Sequence, residues 1–223
     1  MNKEIREFLG SHAANLIEDN MIVGLGTGRT ANSFVKALAK RCELGLKIKA
    51  VASSLQTEKL SSQLGIDVLN INDVDRIDVT VDGADEVDEE RNIIKGGGGA
   101  LLREKILSFA SDKFVVLIED SKLVKKIGEF PLPVEIVPYG CWVAKKKIEL
   151  LNLECKWRMN EEEFFLTDNN NFLLDIYFNS FIEDPIELQE ALKNIPGVVE
   201  TGLFLNMADQ ILIGSSTKTV TIL

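Results

Sequence analysis

Apolar and polar positions alternate in blocks along the first half of the chain. The short runs MIVGLG (21–26), IKAVASS (48–54), IDVLNI (66–71), RIDVTVDGAD (76–85) and KFVVLIE (113–119) read as strands. Between them lie stretches with the period of amphipathic helices. Residues 3–16 put Ile5, Phe8, Leu9, His12, Ala13 and Leu16 on one stripe, which predicts a core or helix-interface position for His12. TANSFVKALAKRC (30–42) does the same with Ala31, Phe34, Val35, Leu38 and Cys42, and LQTEKLSSQLG (55–65) gives a further helix. Past the glycines of KGGGGALLREK (95–105), Leu102, Ile106, Phe109 and Ala110 form an apolar line that leaves Glu104 off the buried side, facing a cleft or solvent. Strands alternating with helices in this way specify a mostly parallel, doubly wound α/β sheet.

The pattern changes at FPLPVEIVP (130–138), where three prolines in nine residues stiffen the chain. Beyond it, FFLT, DNNN and FLLDIYF read as a hairpin, and DPIELQEALKNIPG as a helix stopped by Pro196 and Gly197. We therefore expect a first domain over residues 1–128 and a small α+β domain over 129–202; the closing strands in about 203–223 fit either unit, and their return to the first sheet would make the small domain an insertion.

Composition narrows the chemistry. The chain has 223 residues, 45% of them hydrophobic, enough for a real core, and a formal net charge of −10. With no basic patch apparent along the sequence, a nucleic-acid partner is disfavoured. No apolar run reaches membrane-spanning length, and the charged amino terminus does not read as a signal peptide. Cys42, Cys141 and Cys155 are widely spaced, as in reduced cytoplasmic proteins. His12 is the single histidine, so chemistry must come from carboxylates, lysines and backbone.

GLGTGRT (24–30) lies where a strand meets a helix, a natural place for a phosphate. Arg29 occupies the position at which the dinucleotide fingerprint requires glycine, the next strand ends in Ser53 and Ser54 rather than an acid, and the Walker pattern is absent. A compact phosphate monoester fits better than NAD or ATP. DVTVDGADEVDE can be laid over a calcium loop through Asp78, Thr80, Asp82, Gly83 and Glu89, but a strand precedes it where a helix should. Asp82 and Asp85 instead sit at the carboxyl end of a strand, where open α/β sheets build sites. Lys95 and the amides that follow can hold an oxyanion next to a base at Glu104.

These segments, with SSLQTEKL, VDGADE, DSKLV, TDNNN and IPGVVETGLF, occur in an order that resembles the A-type ribose-5-phosphate isomerases over nearly the whole chain. The resemblance implies a Rossmann-like domain carrying an inserted ferredoxin-like α+β domain. It implies a cytoplasmic enzyme that interconverts D-ribose 5-phosphate and D-ribulose 5-phosphate through an enediol in the non-oxidative pentose phosphate pathway, with no metal or other cofactor. It also implies a homo-oligomer, a dimer or else a tetramer.

Matched to the family motifs, Glu104 is the base, and Lys95 with the amides of Gly96, Gly97 and Gly98 stabilises the oxyanion. Asp82 and Asp85, flanking Gly83 and Ala84, handle hydroxyls and ring opening. Thr27, Gly28, Arg29 and Thr30 form the substrate-binding turn, and Lys122 adds a contact. Relatives carry serine at Arg29, alanine at Gly99 and a basic residue at Arg6. A sugar-phosphate sensor would need a DNA-reading module and no base at Glu104. An amino-sugar phosphate deaminase or acyl-CoA transferase of related fold would show ammonia release or thioester exchange.

Overall fold

In chain order the elements begin with α1 (Lys3–Ala14), β1 (Ile22–Leu25), α2 (Arg29–Glu43), β2 (Lys49–Ala52), α3 (Leu55–Gln63), β3 (Val79–Gly83), β4 (Glu86–Asp88), β5 (Ile93–Ile94), α4 (Leu101–Phe109), β6 (Phe114–Glu119) and β7 (Leu123–Val124). They continue with β8 (Leu132–Ile136), α5 (Cys141–Glu149), β9 (Glu154–Trp157), β10 (Met159–Asn160), β11 (Glu163–Phe164), β12 (Phe172–Tyr177), α6 (Pro185–Lys193), β13 (Val198–Thr201), β14 (Leu203–Phe204), β15 (Gln210–Gly214) and β16 (Val220–Ile222). This computed structural model describes residues 3–223. Two units emerge: one from the residues up to Ala84 with Arg103–Leu123 and Met207–Leu223, the other from Asp85–Leu102 with Val124–Asn206.

The first unit is a mixed α/β layer structure on a six-stranded sheet in the order β16-β15-β6-β3-β1-β2. All its pairings are parallel except β15 with β16. Every residue of β6 is buried, which is why its sequence is a continuous apolar run rather than an alternating one. Ala31, Phe34, Val35 and Leu38 of α2 face the core as their spacing requires, joined by Ile5, Leu9 and Ala13 of α1. Gly10 lets α1 meet α2 at backbone distance, since a Cβ there would stand 2.6 Å from Phe34 N.

Three local expectations are corrected. His12 is exposed, because the buried line of α1 runs through Ile5, Leu9, Gly10, Ala13 and Ala14, one helical step away. Residues 66–71 form no strand: Val68 makes a single parallel bridge to Ala50, and the chain then enters a 3₁₀ turn whose amide at Asn72 donates to Asn70 Oδ1 at 2.9 Å. The apolar line of α4 faces outward, with Phe109 85% and Ile106 45% exposed, whereas Leu101, Glu104, Leu107 and Ser108 are buried. Leu107 packs with Val51 and Ile77, and this contact turns Glu104 inward, three residues earlier on the same side.

The second unit has a four-stranded antiparallel sheet in the order β13-β8-β12-β9. Leu132, Val134 and Ile136 pack with Ala144 and Ile148 of α5 and Leu192 of α6. Asp184 caps α6 by accepting from Glu187 N at 2.9 Å, with Pro185 in the first turn. A second sheet has the order β14-β5-β4-β7. Residues 85–102, although they precede the proline-rich stretch, belong here because Lys95 N donates to Gly202 O at 2.9 Å and Gly202 N to Pro133 O at 2.7 Å. The expected hairpin shrinks to one bridge, Leu166 to Phe172, since β11 pairs with β10. Its loop serves Glu135 instead: Thr167 Oγ1, Asn169 Nδ2 and Asn171 Nδ2 donate to Oε1 of this fully buried carboxylate at 3.0, 3.0 and 2.9 Å. β15 and β16 join the first sheet, whereas β14 pairs with β5 in the second unit.

The close approach at Gly10 makes a specific demand. Glycine to alanine inside a helix ordinarily stabilises by about 1 kcal/mol, but Gly10→Ala should lower the melting temperature and destabilise by roughly 1–3 kcal/mol through backbone overpacking. A thermal melt in which the variant gained stability would show that α1 and α2 do not meet this closely.

Candidate active site

In the first unit the turn after β1 is built for close backbone approach. Gly28 adopts φ 103°, open to glycine and poorly tolerated by other residues, and delivers the chain into α2 with Arg29 and Thr30 at its start. Asp82, at the end of β3 and 1% exposed, accepts from Thr27 N at 3.1 Å and Gly83 N at 2.7 Å through the same Oδ1. Gly26 makes room for that carboxylate, since a Cβ there would stand 2.1 Å from its Cγ. Thr27 Oγ1 lies 2.7 Å from Ser53 Oγ and donates to Ser54 Oγ at 2.8 Å, and Thr57 Oγ1 donates to Gly26 O at 3.0 Å. Sequence reasoning used Ser53 and Ser54 only to argue against a dinucleotide. Their hydroxyls instead lock the turn from the next strand, a role signalled only by three hydroxyl residues clustering at a strand-to-helix junction.

Glu104, 4% exposed in the first turn of α4, and Thr30 are the other buried polar candidates of this unit. Lys122 directs Nζ to Ala84 O, closing the segment after β3 onto the short 3₁₀ turn that follows β6. Arg29 is exposed and lines, with Arg6, Lys36 and Lys40, a groove of about 930 Å³ along α1 and α2. This is a local basic patch, contrary to the sequence expectation. It escaped a linear reading because its cations come from separated positions on two helices.

In the second unit Asp85 follows directly on that segment, and its Oδ2 accepts from Gly97 N at 2.8 Å. Lys95 is 2% exposed, its Nζ 5.5 Å from the ring centre of Phe204. Gly96 and Gly99 adopt φ 100° and 84°, while Gly97 and Gly98 are exposed. The run therefore has two glycines required by backbone angle and two presenting bare peptide to solvent.

The calcium alternative is removed by geometry. Asp78 accepts from Ile22 N at 2.7 Å, Thr80 Oγ1 lies 2.6 Å from Ser111 Oγ, and Asp88 closes its own turn by accepting from Glu90 N and Asn92 N. Among the described residues, no group of three or more His, Cys, Asp and Glu is placed to hold a metal ion. Burial pushes the Cys42 and Cys155 thiols up, away from nucleophilic thiolates. No helix among the described residues is long and apolar enough to cross a membrane. Glu86, next to Asp85 in sequence, is buried and accepts from Gly128 N at 2.8 Å and Phe130 N at 2.7 Å. Burial raises its carboxyl above the ordinary 4.5, against the pull of these two amides.

Residues 49–218 match the family Ribose 5-phosphate isomerase A (phosphoriboisomerase A). Ribose-5-phosphate isomerase A of Bacillus mycoides is 42% identical over 211 residues, covering 95% of this chain and 96% of the relative. The Parvibaculum lavamentivorans enzyme of the same name is 45% identical, covering 93% and 92%. The ribose 5-phosphate isomerase A structure from Methanocaldococcus jannaschii superposes with TM-score 0.94 at 36% identity, covering 100% of this chain and 99% of that one. A D-ribose-5-phosphate isomerase in complex with phospho-erythronic acid gives TM-score 0.95 at 36% identity, again covering 100% and 99%.

The Glu86 arrangement predicts a sign. A folded-state pKa raised above the unfolded one contributes stability that is full below about pH 4.5 and is lost as pH climbs through the folded value. The stability of wild type relative to Glu86→Gln should therefore fall as pH rises above about 4.5 in urea titrations, roughly as one group titrates. A relative stability that rises with pH would contradict it.

Proposed function

The chain belongs to the ribose 5-phosphate isomerase A family, and from that membership we propose which of its residues carry the reversible isomerisation of D-ribose 5-phosphate to D-ribulose 5-phosphate. The carboxylate of Glu104 removes the proton at C2 of the open-chain aldose and returns it to C1 through an enediol. Meanwhile O1 gains a proton and O2 loses one. Carbon acids next to a carbonyl yield their proton only if the growing oxyanion is stabilised, the task assigned to Lys95 and the amides of Gly96 and Gly98, with Gly97 between them held by its bond to Asp85. Asp82 and Asp85 handle the hydroxyl protons and ring opening.

The observation that carries this reading is the burial of Glu104 at 4% exposure on a helix whose apolar residues face out. A protein gains nothing in stability by exchanging Phe109 and Glu104 in this way, because burying a carboxylate costs several kcal/mol before compensation. Such groups concentrate at functional sites. The phosphate is assigned to the turn Thr27, Gly28, Arg29 and Thr30, supported by the positive φ of Gly28 and the α2 amides behind it, with Lys122 as a further contact. Gly83 and Ala84 connect the two aspartates. The reading includes a metal-free reaction in the non-oxidative pentose phosphate pathway and a cytoplasmic homodimer. The three free cysteines are in keeping with that compartment.

Two measurements test the assignment. In D₂O containing EDTA, proton NMR should follow ribulose 5-phosphate formation with deuterium entering the sugar, and Glu104→Gln should fold yet lose roughly 10²–10⁴-fold in turnover. Near-normal turnover would remove Glu104 from the role. Arg29→Ser should raise KM with kcat little changed, the mark of lost uniform binding. A collapse of kcat would refute Arg29 as a phosphate-side contact alone.

A further inference from the structure

Four successive glycines have no side chains with which to fix their own peptide planes, yet an oxyanion site requires those planes to be fixed. Within the second unit, a side chain far along the sequence grips the carbonyl side of the run. Arg158, just past β9, donates through Nη1 to Gly96 O at 2.9 Å and to Gly97 O at 3.1 Å. The rest of its guanidinium is held by Asp175 of β12: Nε donates to Oδ2 at 2.9 Å and Nη2 to Oδ1. The pair is largely enclosed, with side chains 17% and 13% exposed. The Arg158 backbone is itself fixed, its N–H donating to Leu173 O at 2.8 Å and its carbonyl accepting from Phe165 N at 2.9 Å. Phe165 closes the far end of the run, since a Cβ on Gly99 would stand 2.5 Å from the ring.

A trans peptide is planar, with its carbonyl and its N–H pointing in opposite directions. The carbonyl of Gly96 shares its plane with the N–H of Gly97, which donates to Asp85 Oδ2 at 2.8 Å. One peptide is thus held at both ends, by Arg158 and by Asp85. The carbonyl of Gly97 shares its plane with the N–H of Gly98, so the second hydrogen bond from Arg158 sets the direction of that amide. Glycine backbone otherwise rotates at low cost. We propose that Arg158, oriented by Asp175, is a positioning residue that fixes the peptides of Gly96 and Gly97, and thereby both the Gly98 amide and the Asp85 carboxylate. It acts through the carbonyl side of the run. The planar fork matters, because one nitrogen serves two carbonyls while two others engage a carboxylate, a division that a lysine ammonium does not reproduce.

This inference rests on the reading of the glycine run as the oxyanion site, and the experiment separates the two. Arg158→Met and Arg158→Lys are compared with wild type for kcat, KM, melting temperature, and the affinities of phospho-erythronic acid and inorganic phosphate. The expected result is a kcat lower by about 10- to 100-fold in Arg158→Met, as misplaced donors cost in other sites, and a smaller loss in Arg158→Lys. Phospho-erythronic acid should weaken alongside kcat, with KM and phosphate affinity within about threefold of wild type. A kcat within twofold of wild type overturns the proposal, as does a loss shared equally by phosphate. Should Arg158→Met fail to fold, Asp175→Asn decides: it leaves the arginine in place with a weakened anchor, and normal kcat in it is equally fatal. If wild type itself does not bind phospho-erythronic acid, the oxyanion reading fails first, independently of Arg158.

Discussion

A single carboxylate oxygen organises the first unit. Oδ1 of Asp82 accepts the amides of Thr27 and Gly83, and so ties the end of one strand to the turn leaving its neighbour. A buried acid is costly unless such bonds replace its water. Everything nearby accommodates this one: Gly26 has no Cβ because the carboxylate fills that space, and Thr27 is held from behind by Ser53 and Ser54. The turn is therefore held in place by bonds within the protein itself. Preorganisation of this kind lets backbone amides act on an anion without the cost of ordering them at that moment.

The second unit meets the same requirement with different means. Its glycine run, proposed above as the oxyanion site, cannot draw rigidity from side chains of its own. That rigidity comes from groups far away in the sequence: Arg158, 62 positions from Gly96, then Phe165 and Asp175. The first unit uses hydroxyls supplied by an adjacent strand, and the second uses a charged fork supplied by an antiparallel sheet.

The sequence revealed the periodic parts of this architecture and missed what depends on facing. The α2 stripe was legible because Ala31, Phe34, Val35 and Leu38 repeat at helical spacing and are all buried. In α4 the same logic found a real apolar line and assigned it to the wrong side, since periodicity defines a stripe but not what lies opposite. His12 failed by a single step around its helix, and residues 66–71 were strand-like in composition yet pair at one residue only. The turn, the aspartates and the glycine run were visible as motifs because glycine and acid at a strand end are unusual locally. Arg158, Asp175 and the Thr57 hydroxyl were not, because each matters only through a contact distant along the chain.

The chain passes between its two units four times, at positions 84, 102, 123 and 206, so neither unit corresponds to one uninterrupted stretch of gene. Residues 129–202 look like a portable cassette between a proline-rich entry and a glycine exit. Exchanging that cassette by recombination would carry away Pro133, Arg158, Phe165 and Asp175 and leave behind the glycines they hold. The cassette and the short stretch from 85 to 102 therefore make one structural part written in two places.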